Sequence, residues 1–292
     1  MKNRNGLIWT IGIPYLVAFI SVYLWMAIAQ IVSVGIYLHQ HGGSQSEAIN
    51  AMRLNWGVQS IINVLMELVL LSVLIFFSTR EGVAFTWSRV GFVKNRSSMI
   101  VGVGLAILIN VIVFSIAYGL GTIHGLTIGT AIYSIVSVLF FTVISCVSTG
   151  FPGVIEEMFF RGYLQTKIMK SKGSTVAIVV TSLLFALMHI ALYPTILGLS
   201  TVLLLGLILG VLYYKTKSLS ISIGFHYAWD FLNSVVGDGK QPSVFSIHDL
   251  TAITTQNILL LIQLIVLIFV LAIILIITRN VGIDVSKVPN VK

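Results

Sequence analysis

Four stretches of this chain contain no Asp, Glu, Lys or Arg: Arg4 to Glu47, Arg96 to Glu156, Lys172 to Lys215, and Asp249 to Arg279. Each is longer than the roughly 20 apolar residues a helix needs to cross the hydrocarbon of a bilayer. A helix also satisfies its own backbone polar groups, which hydrocarbon demands. The short alternating segments of a transmembrane β-barrel are absent. Composition agrees: 57% of the 292 residues are hydrophobic and 9% charged, against about 25% charged in an ordinary soluble domain. The mean hydropathy is +1.03. A soluble fold of this size could not hide so much apolar surface. The expected fold class is all-α, a polytopic transmembrane helical bundle.

The apolar segments fall at about 7–38, 56–77, 98–120, 127–149, 174–192, 195–214, 218–236 and 257–277, giving eight spans. A shorter, more polar helix is expected at 153–170, set off by Gly150, Pro152 and Gly153, which break a helix in water. No internal repeat or linker divides the chain, so 1–292 reads as one membrane domain. Basic residues in short loops set orientation. Lys2 and Arg4, then Arg80, Arg89, Lys94 and Arg96, then Lys167, Lys170 and Lys172, then Lys215 and Lys217, then Arg279, Lys287 and Lys292 all fall on one side of an eight-span chain. That side is cytoplasmic, with both termini. The 153–170 helix resists this scheme, because the preceding span has already reached the cytoplasmic side. A re-entrant or strongly tilted helix would resolve it, as would a ninth crossing, which would put the N-terminus outside.

The net charge of +8 does not point to nucleic acid, since the basic residues lie between apolar runs. The single cysteine, Cys146, excludes an internal disulfide and reads as a small packed residue. The first apolar run is too long for a cleavable signal peptide.

Ionisable residues inside membrane segments are costly and mark function. Four groups stand out. In Glu156-Glu157-Met158-Phe159-Phe160-Arg161, Glu157 and Arg161 are four apart and can pair. Glu156 is left as a candidate general base, against the plainer reading of ordinary interfacial charges. In Phe185-Ala186-Leu187-Met188-His189, the histidine ends an apolar run, at a depth close to that of Glu156. His226 and Asp230 share a helix face at i,i+4, a spacing that suits a carboxylate orienting an imidazole or polar glue between helices. Glu67 lies in the second span and could pair with a buried histidine or arginine. These groups permit activation of water, metal binding, or proton relay in a transporter.

The ordered set Glu156-Glu157-x-x-x-Arg161, Phe185-x-x-x-His189 and His226-x-x-x-Asp230 resembles the three motifs of the CAAX-protease and bacteriocin-processing (Abi) family of intramembrane glutamic endopeptidases. Phe160-Arg161-Gly162-Tyr163-Leu164 is also similar. The resemblance covers about residues 130–240. It implies a helical bundle with a polar cavity open to the cytosol, in which 1–125 supply accessory helices, 126–240 the catalytic core, and 241–292 a loop and the last span. It implies Glu156 as the base that activates water and His189 as its helper. Glu157 supports the site with Arg161 and Phe185, and His226 and the last motif residue stabilise the oxyanion. That last position can be Asn or Asp in the family and here is Asp230. An ionised Asp cannot donate to an oxyanion, so Asp230 is expected to orient His226.

The implied substrate is a membrane-associated or lipidated peptide or protein, and the implied location a bacterial cytoplasmic membrane, with no cofactor or metal. A zinc protease is the first rival, although no His-Glu-x-x-His is present. A non-catalytic scaffold or immunity factor is the second. A proton-coupled transporter is the third, and the two related halves common in such proteins are absent.

Overall fold

The computed structural model describes residues 8–80, 96–129, 133–237, 242–248 and 252–279. Lys2, Arg4, Arg89, Lys94, Lys240, Lys287 and Lys292, used above for orientation, lie outside them.

A π-helical turn, Ile8–Gly12, leads into α1, Ile13–His41. Pro14 sits in its first turn, where a missing N–H costs nothing. The helix stops at Gly42, whose positive φ suits glycine. Next comes α2, Gln45–Leu54, a short polar helix opened by a capping box between Ser44 and Glu47. α3 is Trp56–Arg80 and α4 is Arg96–Gly119.

The fourth apolar segment differs most from expectation. Gly150, Pro152 and Gly153 do not break the chain. Helix α5, Ile135–Glu157, runs through Pro152, continues as a π-helical stretch, Met158–Gln165, and ends as α6, Thr166–Lys172. The expected span at 127–149 and the separate helix at 153–170 are therefore one rod of 38 residues. It is about 57 Å long at 1.5 Å per residue, roughly twice the hydrocarbon thickness. Proline is tolerated in a packed membrane helix because neighbours compensate for the lost backbone bond. The difficulty over the 153–170 helix disappears, since there is no second element to place.

The remaining helices are α7, Ser174–Met188, α8, Ile196–Thr216, α9, Leu219–Ser234, and α10, Ile253–Ile277. Among the described residues, six helices are long and apolar enough to cross a membrane: Trp9–His41, Trp56–Arg80, Arg96–Gly119, Ile135–Lys172, Ile196–Thr216 and Ile253–Ile277. α7 and α9, at 15 and 16 residues, are shorter. Expected span 174–192 stops at Met188, and 218–236 stops at Ser234. The fold is not purely helical either. β1, His124–Ile128, pairs antiparallel with β3, Phe245–His248, and β2, Val236–Gly237, pairs parallel with β3.

Lipid tails are as apolar as leucine, so these helices are held by close packing rather than by escape from water. A Cβ at Gly153 would lie 3.0 Å from the backbone of Tyr227, so α5 and α9 meet backbone to backbone at the level of Glu156 and His226. Gly102 of α4 and Gly224 of α9 seat those two helices as closely; a Cβ on Gly102 would overlap the Ile221 carbonyl. One apolar cluster gathers around Met158, Phe159, Phe160 and Leu164 with residues of α1, α3 and α7. A second joins α4, α8, α9 and α10 around Ile109, Ile208 and Phe225. The polar groups lie between them.

Candidate active site

Rod, α7 and α9 each deliver one of the sequence motifs to the same place. Glu157 is fully buried, and its Oε1 accepts from Arg161 Nη1 at 2.8 Å. Arg161 also donates through Nη2 to the Gly206 carbonyl at 3.2 Å, and its guanidinium lies 4.5 Å from the centre of the Phe185 ring. The wide π-helical stretch carries Arg161, and all eight of its residues are buried. Such stretches are rare and frequent at functional sites.

His226 Nδ1 lies 3.1 Å from the same Glu157 Oε1. A carboxylate can only accept, so Nδ1 carries the hydrogen. The opposite nitrogen, Nε2, faces Asp230 Oδ2 at 3.4 Å and Glu156 Oε2 at 4.0 Å. His226 thus has carboxylates on both edges. The partner at Nδ1 is Glu157, while Asp230, the expected orienting group, stands at the open edge with its side chain one-third exposed.

His189 caps the end of α7 rather than lying within a span. Its Nδ1 lies 2.8 Å from the Phe185 carbonyl, which fixes Nδ1 as the donor and turns Nε2 toward Glu156 Oε2, 3.7 Å away. Phe185 packs against the rings of both His189 and His226, at 4.5 Å and 5.7 Å between centroids. It holds both imidazoles in place.

His189 separates two small hollows. One, of about 40 Å³, is bordered by His189, His226, Asp230 and Tyr193. The other, of about 30 Å³, is bordered by Glu156, Glu67, Tyr23 and His189. Either can hold a water molecule, which needs about 10–15 Å³ by this measure. The first adjoins a cavity of about 610 Å³ through shared walls at Tyr193, Val202, Leu205 and Trp229. Among the described residues, no three His, Cys, Asp or Glu side chains are arranged to hold a metal ion.

Two expectations need correction. Among the described residues Glu67 has no histidine or arginine bonded to it; it lines the same small hollow as Glu156, and one oxygen of each is buried without a partner. Cys146 is not packed inside but exposed, with Sγ 2.9 Å from the Tyr227 hydroxyl.

Residues 136–232 match the family model described as Rce1-like, type II CAAX prenyl endopeptidase Rce1-like. The chain carries an Rce1-like domain. That domain belongs to a protease family and holds every motif residue named above, from Glu156 to Asp230. No curated protein and no solved structure matches the chain. The match leaves out α1, α3 and all of α4, yet α1 and α3 also border the site. Tyr15 donates to the Leu184 carbonyl at 3.0 Å, and Tyr23 to that of Met188 at 3.0 Å. Sequence reasoning missed these tyrosines, because a tyrosine in an apolar helix gives no sign of which neighbour it will reach.

Proposed function

We propose that the protein is an intramembrane endopeptidase that hydrolyses a peptide bond of a membrane-associated peptide with water activated by Glu156. The observation that carries this reading is Glu156 itself. It is buried, its Oε2 has no hydrogen-bond partner, and that oxygen faces the Nε2 atoms of two histidines across gaps too long for direct hydrogen bonds.

The chemistry follows from the atoms. Glu156 takes a proton from a water held between it and His189. The resulting hydroxide adds to the scissile carbonyl carbon, and an oxyanion forms. His226 Nε2–H faces that oxygen. Because Nδ1–H is already committed to Glu157, this donor requires the imidazolium, and Glu157 and Asp230 supply the counter-charge. Glu156 then passes its proton to the leaving nitrogen as the C–N bond breaks. General-base assistance supplies about 10²–10⁴-fold in rate, and one oxyanion donor about 10²–10³-fold. Asp230 holds Nε2–H toward the open hollow until substrate arrives. Arg161 and Phe185 support Glu157 and the two imidazoles.

We count eight crossings, with the rod as one and the short α7 and α9 included. Access to the site is proposed from the end of the bundle opposite the basic residues. Helix α7 stops at the level of Tyr23, whereas α1 continues for another 18 residues to His41, about 27 Å further. The turn after α7 therefore lies at the floor of a recess. The cavity of about 610 Å³ lies there, against Tyr193, Pro194, Thr195 and the start of α10. Lys215, whose Nζ bonds the Thr278 carbonyl, marks the opposite end. Basic residues lie on the cytoplasmic side, so the recess faces away from the cytosol, in contrast to the access implied by the family resemblance. A Tyr193→Cys variant in a Cys146→Ser background should react with an impermeant thiol reagent added to intact cells. Labelling only after the membrane is opened would restore cytosolic access.

The catalytic reading is tested with purified protein in lipid vesicles and a panel of membrane-anchored peptides. The wild type should cleave and Glu156→Gln should not, and a zinc chelator should leave cleavage unchanged. Chelator-sensitive cleavage that survives Glu156→Gln would replace the glutamic mechanism with a metal-dependent one.

A further inference from the structure

Glu67 is buried to 1% exposure at the middle of α3, outside the Rce1-like domain. No family motif explains it. Its neighbours are apolar, except for one side of the small hollow that it shares with Glu156, His189 and Tyr23. Its carboxyl and that of Glu156 line this one hollow of about 30 Å³, and each residue keeps one buried oxygen without a partner.

Two ionised carboxylates facing one small buried hollow repel each other, and neither can donate to the other, since both can only accept. One proton shared between the pair removes that repulsion and supplies the missing donor. If Glu156 is the base it must be the anion, and the proton then belongs to Glu67. We infer that Glu67 is a positioning residue for the proposed reaction, donating a hydrogen bond that fixes the Glu156 carboxylate so that Oε2 points at the water site beside His189. This inference rests on the assignment of Glu156 as the base. It gives the accessory helices a direct part in the chemistry: α3 supplies the donor that α7 and α9, on the other side of Glu156, do not.

The arrangement makes the amide and the apolar substitution differ. Glu67→Gln keeps an N–H donor of the same length. Glu67→Leu removes the donor while filling the same volume, a change that a buried site often accepts without loss of stability. A hydrogen bond to a charged group is lost in Glu67→Leu, so kcat should fall roughly 10–100-fold with KM unchanged. Glu67→Gln should stay within about threefold of the wild type. A purely structural role would change the amount of folded protein but not kcat per folded molecule.

Infrared spectroscopy gives a readout independent of turnover. The wild type in lipid at neutral pH should show a carboxylic-acid C=O band that is missing from Glu67→Gln. Kinetics of Glu67→Leu, Glu67→Gln and Glu156→Gln, each normalised to folded protein, complete the experiment. A wild-type kcat in Glu67→Leu beside an inactive Glu156→Gln would overturn the role of Glu67 alone. So would identical carboxylic-acid bands in the wild type and Glu67→Gln. An active Glu156→Gln would instead overturn the base assignment on which the inference rests.

Discussion

The two halves of one rod live in different solvents. From Ile135 to Val147 the helix points large apolar side chains outward, with Ile135 and Val136 each 71% exposed and Val143 61%. From Ile155 to Thr166 every residue is buried, and Glu156, Glu157, Arg161 and Gln165 all lie in that stretch. Backbone and direction are continuous, and only the surroundings change. The polar half stays within a membrane protein because α3, α7, α8 and α9 replace the lipid around it. Among the described residues the most apolar span, α10, has only 17% of its 18-residue apolar stretch buried, while α8, at a lower hydropathy, has 56% of the corresponding stretch buried. Hydropathy alone does not mark where lipid is, since α3 has the hydropathy of α8 with only 22% of its apolar stretch buried; the polar residues at helical spacing on the rod do mark where lipid is not.

Breaking the pairing in the buried half should have the largest effect. Arg161→Ala leaves the buried Glu157 carboxylate with His226 as its one remaining partner among the described residues, and should lower stability by about 3–5 kcal/mol, read as loss of folded protein in a detergent melt. The double variant Glu157→Met with Arg161→Met removes both charges. It should melt close to the wild type and have no activity, which separates holding the fold from building the site. Gly153→Val pushes α5 off the Tyr227 backbone and should cost about 1–3 kcal/mol, with slower cleavage as Glu156 moves away from His226. Val143→Ala, on the lipid-facing half of the same rod, should change stability by less than about 0.5 kcal/mol and leave cleavage intact. A large effect of Val143→Ala would mean that this face is covered by protein rather than lipid.

Much of this was readable from the chain. The long gaps between charges required membrane helices, and the spacing of Glu157 with Arg161 and of His226 with Asp230 placed each pair on one face. The meeting of the three motifs was not readable from spacing alone; the family resemblance implied it, and the close approach at Gly153 accounts for it. Pro152 and its flanking glycines misled because a breaker in water is tolerated where neighbouring helices pack against it. Those same glycines let α9 come close. Asp230 was paired with His226 by sequence proximity, while Glu157, 69 residues away, takes the Nδ1 hydrogen. Glu67 could be recognised as unusual, but its neighbour Glu156 depends on how α3 packs against the rod. The small sheet linking the loops around His124 and Phe245 left no mark, because its strands are too short to show an alternating pattern.

The central claim is that Glu156 performs peptide hydrolysis. The most direct measurement compares peptides recovered from the membranes and medium of cells making the wild type or Glu156→Gln at equal abundance. Specific cleaved peptides present with the wild type and missing with the variant are the predicted result, and they would name the substrate. Identical peptide sets, in cells where loss of the whole protein still has a consequence, would contradict it and leave a membrane scaffold in its place.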